Sequence, residues 1–368
     1  MKIHCERDKL LPAFQMAASV VPSRSPKPIL QSVKLATRND RTVLLATDLE
    51  IGVCIGLTGV TVEAPGEVML PTSRFGAILK ESPTATFCIE DNGTWTGVSG
   101  ERTKFSLAAS DPREFPEIAG FTETDCVRVP VRFLRELIRR TIFATDPDSG
   151  RYALGGVLFQ MRDDKFIGVA TDGRRLALQE GTLERVGDPQ LPTSDTVVPV
   201  RALQILERSL VEPDEMVELA VRQNHLLVRS GRFTMYTRLL EGRFPQWEKI
   251  FPDESNLTQI ELAVGGFHAA VRQAAIVTDD THPGVRFEFG DGKAVLTACS
   301  SETGESHVEY PIAYDGPKIS VQLDPKFLID FLRVLAQDSQ MTICIRDGET
   351  PLTLRTDDGY VSVVMPLS

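Results

Sequence analysis

The sequence predicts an α+β protein built from three copies of one unit of about 125 residues. Two similar passages carry this prediction, VLLATDLEIGV (43–53) and FIGVATDGRRLAL (166–178). Each has the pattern of two apolar strands joined at a Thr-Asp turn. Each third of the chain also contains two segments with helical spacing of apolar residues. A repeat of this length indicates whole domains, which we place at 1–120, 127–248 and 249–368.

A helix is expected at the start of each copy. The three segments are RDKLLPAFQMAASVV (7–21), VRFLRELIRRTIFA (131–144) and GGFHAAVRQAAIV (265–277). In the second segment, Phe133, Leu134, Leu137, Ile138 and Thr141 recur at the spacing that brings them to one face. A loop rich in Pro, Gly or polar residues follows each helix, and the paired strands come next.

A second helix follows the paired strands in each copy. Its segments are PTSRFGAILKES (71–82), PVRALQILERSL (199–210) and DPKFLIDFLRVLA (324–336). Each has a proline at or next to its start, where the fixed φ of proline suits the first helical turn. Alternating strands then follow, and the first two copies close on Phe-Pro, at 115–116 and 244–245.

The Thr-Asp pair is interpreted as a turn device and not as a catalytic pair. Asp48 and Asp172 both follow a threonine at the end of an apolar strand. Side chains of this kind accept hydrogen bonds from nearby backbone amides and stabilise a strand reversal.

Composition and motifs exclude several classes of protein. The chain is 42% hydrophobic and 25% charged, its N-terminus MKIHCERDKLL lacks a signal-peptide core, and no apolar run spans a bilayer, so we expect a cytoplasmic protein. Six cysteines without CxxC spacing indicate reduced thiols, and five scattered histidines indicate no metal site and no cofactor. No phosphate-binding, nucleophile-elbow or zinc-protease motif is present, and Asp279-Asp280 and Asp357-Asp358 lie in polar loops. A binding or structural protein is favoured over an enzyme.

Positive charge is concentrated in the predicted helices. The net charge is −11, yet the six helices, counted as 6–20, 72–82, 131–143, 200–210, 266–277 and 324–337, contain 13 Lys and Arg against 7 Asp and Glu. Solvated helix faces would explain this distribution. A sharper interpretation is that the helices face a polyanion and bind it loosely, without regard to its sequence.

Seven short motifs, in this order, carry a resemblance to a known family. They are Arg24 with PKPIL (26–30), ATDLE (46–50), RYALGGVLF (151–159), ATDGRRLAL (170–178), GRFPQWEKIFP (242–252), GVRFEF (284–289) and VVMPL (363–367). Together they resemble the bacterial DNA polymerase III beta subunit, the β sliding clamp, along the whole chain.

The resemblance implies both an architecture and a function. Each domain would pack two helices on two four-stranded antiparallel sheets, and two chains would pair head to tail into a six-domain ring. That ring would encircle double-stranded DNA and confer processivity on the replicative polymerase, without catalysis. Implied partners are the polymerase alpha subunit, the clamp-loader complex and other proteins with short hydrophobic clamp-binding peptides.

The resemblance also assigns three sets of residues. A peptide cleft between domains 2 and 3 would be lined by Leu154, Thr171, Gly173, Arg175, Leu176, Pro245, Ile250, Pro351, Val363, Val364, Met365 and Pro366. DNA contacts would come from Arg24, and from Arg132, Arg135, Arg139, Arg151, Tyr152, Arg201 and Arg272 by their helix or loop placement. The dimer contact would join a basic segment to an acidic one around an apolar centre, using Phe75, Arg102, Lys104, Phe105, Leu107, Ile276, Val277, Glu302 and Glu305. The loop TDPDSG (145–150) departs from the family, which carries His and Gln near it.

Two other functions compete with this interpretation. One is a repeat-built enzyme that uses Asp172 with Arg174 or Arg175, for instance as a hydrolase. The other is a scaffold that uses the same peptide cleft without DNA.

Overall fold

Six α-helices form in the part of the chain that the structure, a computed structural model, describes: residues 1–38, 41–149, 153–189, 191–192, 195–253, 256–279, 281 and 283–367. They are α1 (Arg7–Ala18), α2 (Thr72–Glu81), α3 (Val131–Thr141), α4 (Val200–Ser209), α5 (Val264–Ala274) and α6 (Pro325–Arg333). All six correspond to predicted segments. Short 3-10 turns extend α3 to Ala144 and α5 to Val277.

The strands alternate with the helices in three similar series. The first series is β1 (Lys2–Glu6), β2 (Ser32–Arg38), β3 (Arg41–Thr47), β4 (Ile51–Gly56), β5 (Val60–Ala64), β6 (Gly66–Pro71), β7 (Thr86–Asp91), β8 (Trp95–Ser99) and β9 (Lys104–Ala108). The second is β10 (Cys126–Pro130), β11 (Gly156–Arg162), β12 (Lys165–Thr171), β13 (Arg175–Thr182), β14 (Glu184–Val186), β15 (Val197–Pro199), β16 (Met216–Val221), β17 (His225–Ser230) and β18 (Phe233–Arg238). The third is β19 (Thr258–Ala263), β20 (Val285–Gly290), β21 (Lys293–Ser300), β22 (Gly304–Pro311), β23 (Ile319–Leu323), β24 (Gln340–Ile345), β25 (Leu352–Arg355) and β26 (Tyr360–Val364).

The chain divides into two compact units. Unit 1 contains Met1–Leu134, Leu183–Pro192 and Arg201–Leu239, and unit 2 contains Arg135–Thr182, Thr193–Val200 and Leu240–Ser368. Unit 1 holds a five-stranded sheet, β5-β1-β7-β8-β9, and a nine-stranded sheet, β14-β10-β16-β17-β18-β4-β3-β2-β6. Unit 2 holds an eight-stranded sheet, β15-β11-β12-β13-β26-β25-β24-β19, and a four-stranded sheet, β22-β21-β20-β23.

Each wide sheet consists of two smaller sheets, from consecutive copies of the repeat, joined edge to edge. In unit 1 β4 pairs antiparallel with β18, which we call the first junction, and in unit 2 β13 pairs with β26, the second junction. Separated at these junctions, four of the six smaller sheets have the expected four strands. The other two have a fifth strand, β5 or β14, which the sequence analysis did not anticipate.

Helices cover one face of the sheets in each unit. In unit 1, α1 packs on α2 through an edge-to-face contact between Phe14 and Phe75, whose ring centroids are 4.9 Å apart. The Arg7 guanidinium adds a hydrogen bond of 2.8 Å to the carbonyl of Leu79. In unit 2, α5 packs on α6. Aromatic pairs of this kind add to the apolar area that the helices bury.

All four sheets end in strands with one free edge, and β9 and β22 are two of these end strands. Among the described residues, β9 pairs only with β8, and β22 pairs only with β21. Both strands therefore present backbone amides and carbonyls that the rest of the described chain does not satisfy through a second ladder.

Candidate functional site

The Thr-Asp turn between β12 and β13 is stabilised by its own side chains. Thr171 Oγ1 donates to the carbonyl of Arg175 (2.6 Å) and accepts from the amide of Gly173 (3.1 Å). Asp172 Oδ1 accepts from the amides of Arg174 and Arg175, both at 3.0 Å. The prediction that this pair is a turn device is confirmed.

The same turn recurs between β3 and β4 with one unusual residue. Thr47 Oγ1 donates to the carbonyl of Ile51 (2.7 Å), and Asp48 Oδ1 accepts from the amide of Ile51 (2.7 Å). Leu49 has φ +82°, where the second copy has Gly173 at φ +86°. Left-handed backbone costs an L-residue roughly 1–2 kcal/mol, so the turn geometry outweighs the preference of Leu49.

A cleft of about 330 Å³ lies beside the second turn, within unit 2. This volume is in the range of sites that accept a few side chains of a ligand. The lining residues are Thr171, Gly173, Arg174, Arg175, Leu176, Lys249, Ile250, Pro351, Val363 and Met365. Eight of these ten belong to the predicted peptide cleft, and the structure brings them together across the second junction.

The floor of the cleft is apolar because of the register at the second junction. Leu176 pairs with Val363, and both side chains belong to one buried cluster with Trp247 and Phe244. Ile250 packs against this cluster. Beyond β26, the amide of Met365 donates to the carbonyl of Arg174 (2.9 Å). Met365 therefore stays beside the turn while its side chain is 40% exposed.

Four predicted cleft residues do not line it. Leu154 and Val364 are buried, and Pro245 and Pro366 are half-buried outside the lining. Val364 is next to Val363 on β26, so its side chain projects from the opposite face of the sheet. The apolar run VVM gave no sign of this alternation, and the assignment of Val364 to the cleft wall is wrong.

The guanidinium of Arg175 is bound inside unit 2, although the residue lines the cleft. It donates to Asp330 on α6 (2.7 Å), to Asp172 (3.0 Å) and to the carbonyl of Phe143 (2.6 Å). It also lies 4.7 Å from the ring centroid of Phe327. With the residue 7% exposed, this charge holds the turn against α6 and is not presented to a ligand.

A second arginine packs behind the same junction. Arg140 on α3 pairs with Asp358 (2.8 Å) and lies over the ring of Tyr360, which stacks on Phe331. Burial raises the pKa of the Tyr360 phenol well above its usual value. Burial also acts to raise the pKa of Asp358, but hydrogen bonds from Thr356 and Arg140 outweigh it and lower the pKa.

Two cations at the cleft were missed by the sequence analysis. Arg174 and Lys249 both line the cleft and are exposed. Neither side chain forms an ion pair with any residue that the structure describes. Both stand next to predicted lining residues in the sequence, and that adjacency could have identified them.

The predicted DNA contacts differ in their availability. Arg24, Arg132, Arg139 and Arg272 are exposed, whereas Arg135 is half-buried. Arg151 and Tyr152 lie outside the described residues.

Arg201 is partly engaged within unit 1. It pairs with Asp48 (3.0 Å) and donates to the carbonyl of Val20 (2.9 Å), while its side chain remains 50% exposed. It therefore links α4 to the first Thr-Asp turn.

The predicted dimer residues include both exposed and buried side chains. Arg102, Lys104 and Phe105 are exposed at β9, and Glu302 and Glu305 are exposed at β22. After α5, Ile276 is 77% exposed and Val277 is half-buried.

Two residues assigned to the dimer contact are in the core instead. Phe75 is fully buried against Phe14, and Leu107 is 6% exposed. Phe75 lies on the inward face of α2, so its assignment to the contact surface is wrong, and so is that of Leu107.

The described residues contain neither a candidate metal centre nor a candidate membrane-spanning helix. No group of three His, Cys, Asp or Glu side chains there could hold a metal ion. No described helix is long and apolar enough to cross a membrane.

Comparison with known proteins matches the chain along its whole length. Residues 1–119, 128–246 and 248–368 match the N-terminal, central and C-terminal domains of the DNA polymerase III beta subunit. The chain belongs to the DNA polymerase III beta subunit family.

Relatives and solved structures agree with that assignment. The beta sliding clamp of Pseudomonas putida is 28% identical, and that of Bacillus subtilis is 25% identical, with at least 99% of each chain covered. The crystal structure of the Pseudomonas aeruginosa DNA polymerase III subunit beta superposes with a TM-score of 0.91 at 26% identity over 100% of both chains. The sliding clamp of Bacillus subtilis superposes with a TM-score of 0.92 at 25% identity, over 100% of this chain and 99% of that one.

The chain is therefore a DNA sliding clamp for replication. A clamp of this family is a processivity factor without catalytic activity. Its partners include DNA, a second copy of the chain and a polymerase. The enzyme alternative, which used Asp172 with Arg174 or Arg175, does not hold, because the family is a processivity factor without catalytic activity. The side chain of Asp172 is bound within its own turn, and that of Arg175 is bound by Asp172 and by Asp330 on α6.

Proposed function

We propose that two copies of this chain pair head to tail through β9 of one copy and β22 of the other. The six clamp domains, with boundaries at 1–120, 127–248 and 249–368, then form a closed ring around double-stranded DNA. One observation carries this proposal, namely that β9 and β22 have free edges while their counterparts in the repeat are paired.

The internal repeat supplies the geometry of the missing pair. β4, β13 and β22 are equivalent end strands of the first small sheet in copies one, two and three. β18, β26 and β9 are equivalent end strands of the second small sheet. β4 pairs with β18 and β13 with β26, which leaves β22 and β9. A β9–β22 pair between chains would be a third junction of the same antiparallel kind, and a heterologous contact of this type can close into a ring.

The side chains at these two edges are complementary. Arg102 and Lys104 stand at β9, and Glu302 and Glu305 at β22. Ile276 supplies exposed apolar surface after α5. Opposite charges at the rim fix register and choice of partner, whereas burial of Ile276 and Phe105 supplies most of the affinity.

Within the ring, exposed cations would contact DNA phosphates. Arg24, Arg132, Arg139 and Arg272 have exposed side chains and suit this role. Arg135, Arg201, Arg151 and Tyr152 remain candidates. Contacts to phosphates alone would be weak, salt-sensitive and independent of sequence, which permits sliding.

The cleft in unit 2 would bind short hydrophobic peptides from partner proteins, including the polymerase alpha subunit and the clamp loader. Its buried floor of Leu176 and Val363 and its walls of Ile250, Pro351 and Met365 suit apolar anchors. For a protein of chromosome replication we also expect a cytoplasmic location.

Topological linkage to DNA separates a ring from a scaffold that uses only the cleft. Fluorescently labelled protein is loaded by its clamp loader onto a nicked circular plasmid and isolated by gel filtration in high salt. We expect co-elution with the circle and release after a restriction enzyme linearises it. Loss of co-elution in high salt, before any cut, would favour the scaffold. Retention on the linear DNA would also contradict the ring.

A further inference from the structure

A cavity of about 570 Å³ lies in unit 1, and it shares no lining residue with the peptide cleft of unit 2. Its floor is one face of β2 and β3, and its roof is the segment 112–118, which we call the first connector. The side chains of Val43 and Leu45 line it and are only half-buried. An apolar sheet face left open to this extent is unusual within a folded unit.

The second copy shows how the same face is closed. Alignment at the Thr-Asp turns makes Val43 and Leu45 equivalent to Ile167 and Val169. Both of those are buried in the cluster that contains Trp247. Alignment at the Phe-Pro pairs makes Trp247 equivalent to Ile118 of the first connector. In copy two the indole of Trp247 belongs to the cluster that buries this face of the sheet. In copy one the smaller side chain of Ile118 stands in its place.

The first connector is also held in place, so the cavity has walls that keep it open. Ile118 packs on Gly52, where an added Cβ would come within 2.6 Å of Ile118 Cγ2. Lys34 donates to the carbonyl of Pro112 (3.1 Å) and pairs with Glu67 (2.7 Å). Lys34 replaces the buried Leu158 of the second copy, so this cavity has a polar wall where the second copy has an apolar one.

Among the residues that the structure describes, one cation at the cavity lacks an ion-pair partner. Lys34 forms an ion pair with Glu67, and Arg113 forms one with Asp111, each at 2.7 Å. Arg41 lines the cavity, is exposed, and forms no ion pair or side-chain hydrogen bond within the described part of the chain. A guanidinium in this position favours a carboxylate, which it can bind through two parallel hydrogen bonds.

We propose that this cavity is a second docking site, for a short partner peptide that carries an aliphatic or aromatic side chain next to an acidic residue. The apolar side chain would cover Val43 and Leu45, as Trp247 covers their counterparts, and the carboxylate would pair with Arg41. The site is separate from the peptide cleft and requires neither DNA nor a closed ring.

Peptide binding to the full-length chain tests the proposal. The probe is a fluorescein-labelled peptide with the sequence Asp-Leu-Phe and a blocked C-terminus. Every protein tested carries Met365→Glu, which places a charge in the lining of the peptide cleft and is expected to prevent apolar side chains from binding there. We expect saturable binding by fluorescence anisotropy, and slowed amide hydrogen exchange in residues 41–47 and 112–118.

Three variants define the site. Ile118→Trp copies the second repeat and fills the cavity, and Arg41→Glu reverses the free charge. Each substitution should lower the affinity for the peptide by about tenfold or more. Glu117→Gln removes the carboxylate of the first connector that lines the cavity. It should raise the affinity for the acidic peptide, because it removes a like charge. Lys165→Glu is the matched control, because Lys165 is the counterpart of Arg41 and is paired with Glu180 at 2.7 Å.

The outcomes are distinguishable from failure of the ring. Equal affinity in the parent and in Ile118→Trp, exchange protection elsewhere, or no binding at all would overturn the proposal. Thermal unfolding of each variant confirms that it folds, and Arg41→Glu serves as the test if the tryptophan variant does not. A ring that fails to form would leave these results unchanged.

Discussion

Ile276 provides the sharpest test of the proposed dimer. Its side chain is 77% exposed in the isolated chain, although isoleucine is among the residues most often buried. Truncation to alanine removes three carbons, worth about 0.8 kcal/mol each when buried. When this sum is scaled by the exposed fraction of the side chain, Ile276→Ala should lower the free energy of association by about 2 kcal/mol at each contact. A head-to-tail ring has two contacts, so the total of about 4 kcal/mol weakens the dimer roughly a thousandfold.

Dilution of fluorophore-labelled chains measures this change. Energy transfer between donor-labelled and acceptor-labelled protomers should disappear at a roughly thousandfold higher concentration in the variant. Val211→Ala is the matched control, because Val211 is 62% exposed but lies after α4 and away from both free edges in the sequence. The reasoning fails if both variants dissociate at the concentration of the parent, or if both weaken equally.

Two further predictions concern the second junction. Arg175→Met keeps an unbranched side chain but removes the guanidinium that lies over Phe327 and leaves the carboxylate of Asp330 without its shortest partner, so we expect a loss of about 3 kcal/mol in thermal or urea unfolding, and none for Arg174→Met. The depressed pKa of Asp358 means that its contribution to stability is complete above the usual carboxyl pKa of 3.8 and is lost as the pH falls below it. Acid should therefore destabilise the parent more than Asp358→Asn, and parallel pH profiles would refute this.

Local patterns in the sequence predicted the helices and the turns well. The six helices have apolar residues at helical spacing and proline or acidic residues at several starts, and these signals act within a few residues. The Thr-Asp turn was equally predictable because its hydrogen bonds close within four residues. The resemblance to a known family then assigned eight of the ten cleft residues to one site.

The errors arose where distant pairing determines the outcome. Val364 differs from Val363 only in which face of β26 it occupies, and this depends on the register with β13. Arg201 remains a candidate for DNA contact, but its ion pair with Asp48, which is distant in the sequence, was not foreseen. Phe75 was assigned to a surface, yet its helix buries it against Phe14.

The two junctions inside the chain are each accompanied by a covalent connector, the first connector at 112–118 and its counterpart at 241–247. The proposed β9–β22 contact has no such link. A DNA duplex could therefore enter the ring only if one of the two β9–β22 contacts opened. A clamp would stay on circular DNA for as long as both contacts remained closed. The lifetime of the protein on DNA would then be set by subunit separation and not by its grip on phosphates.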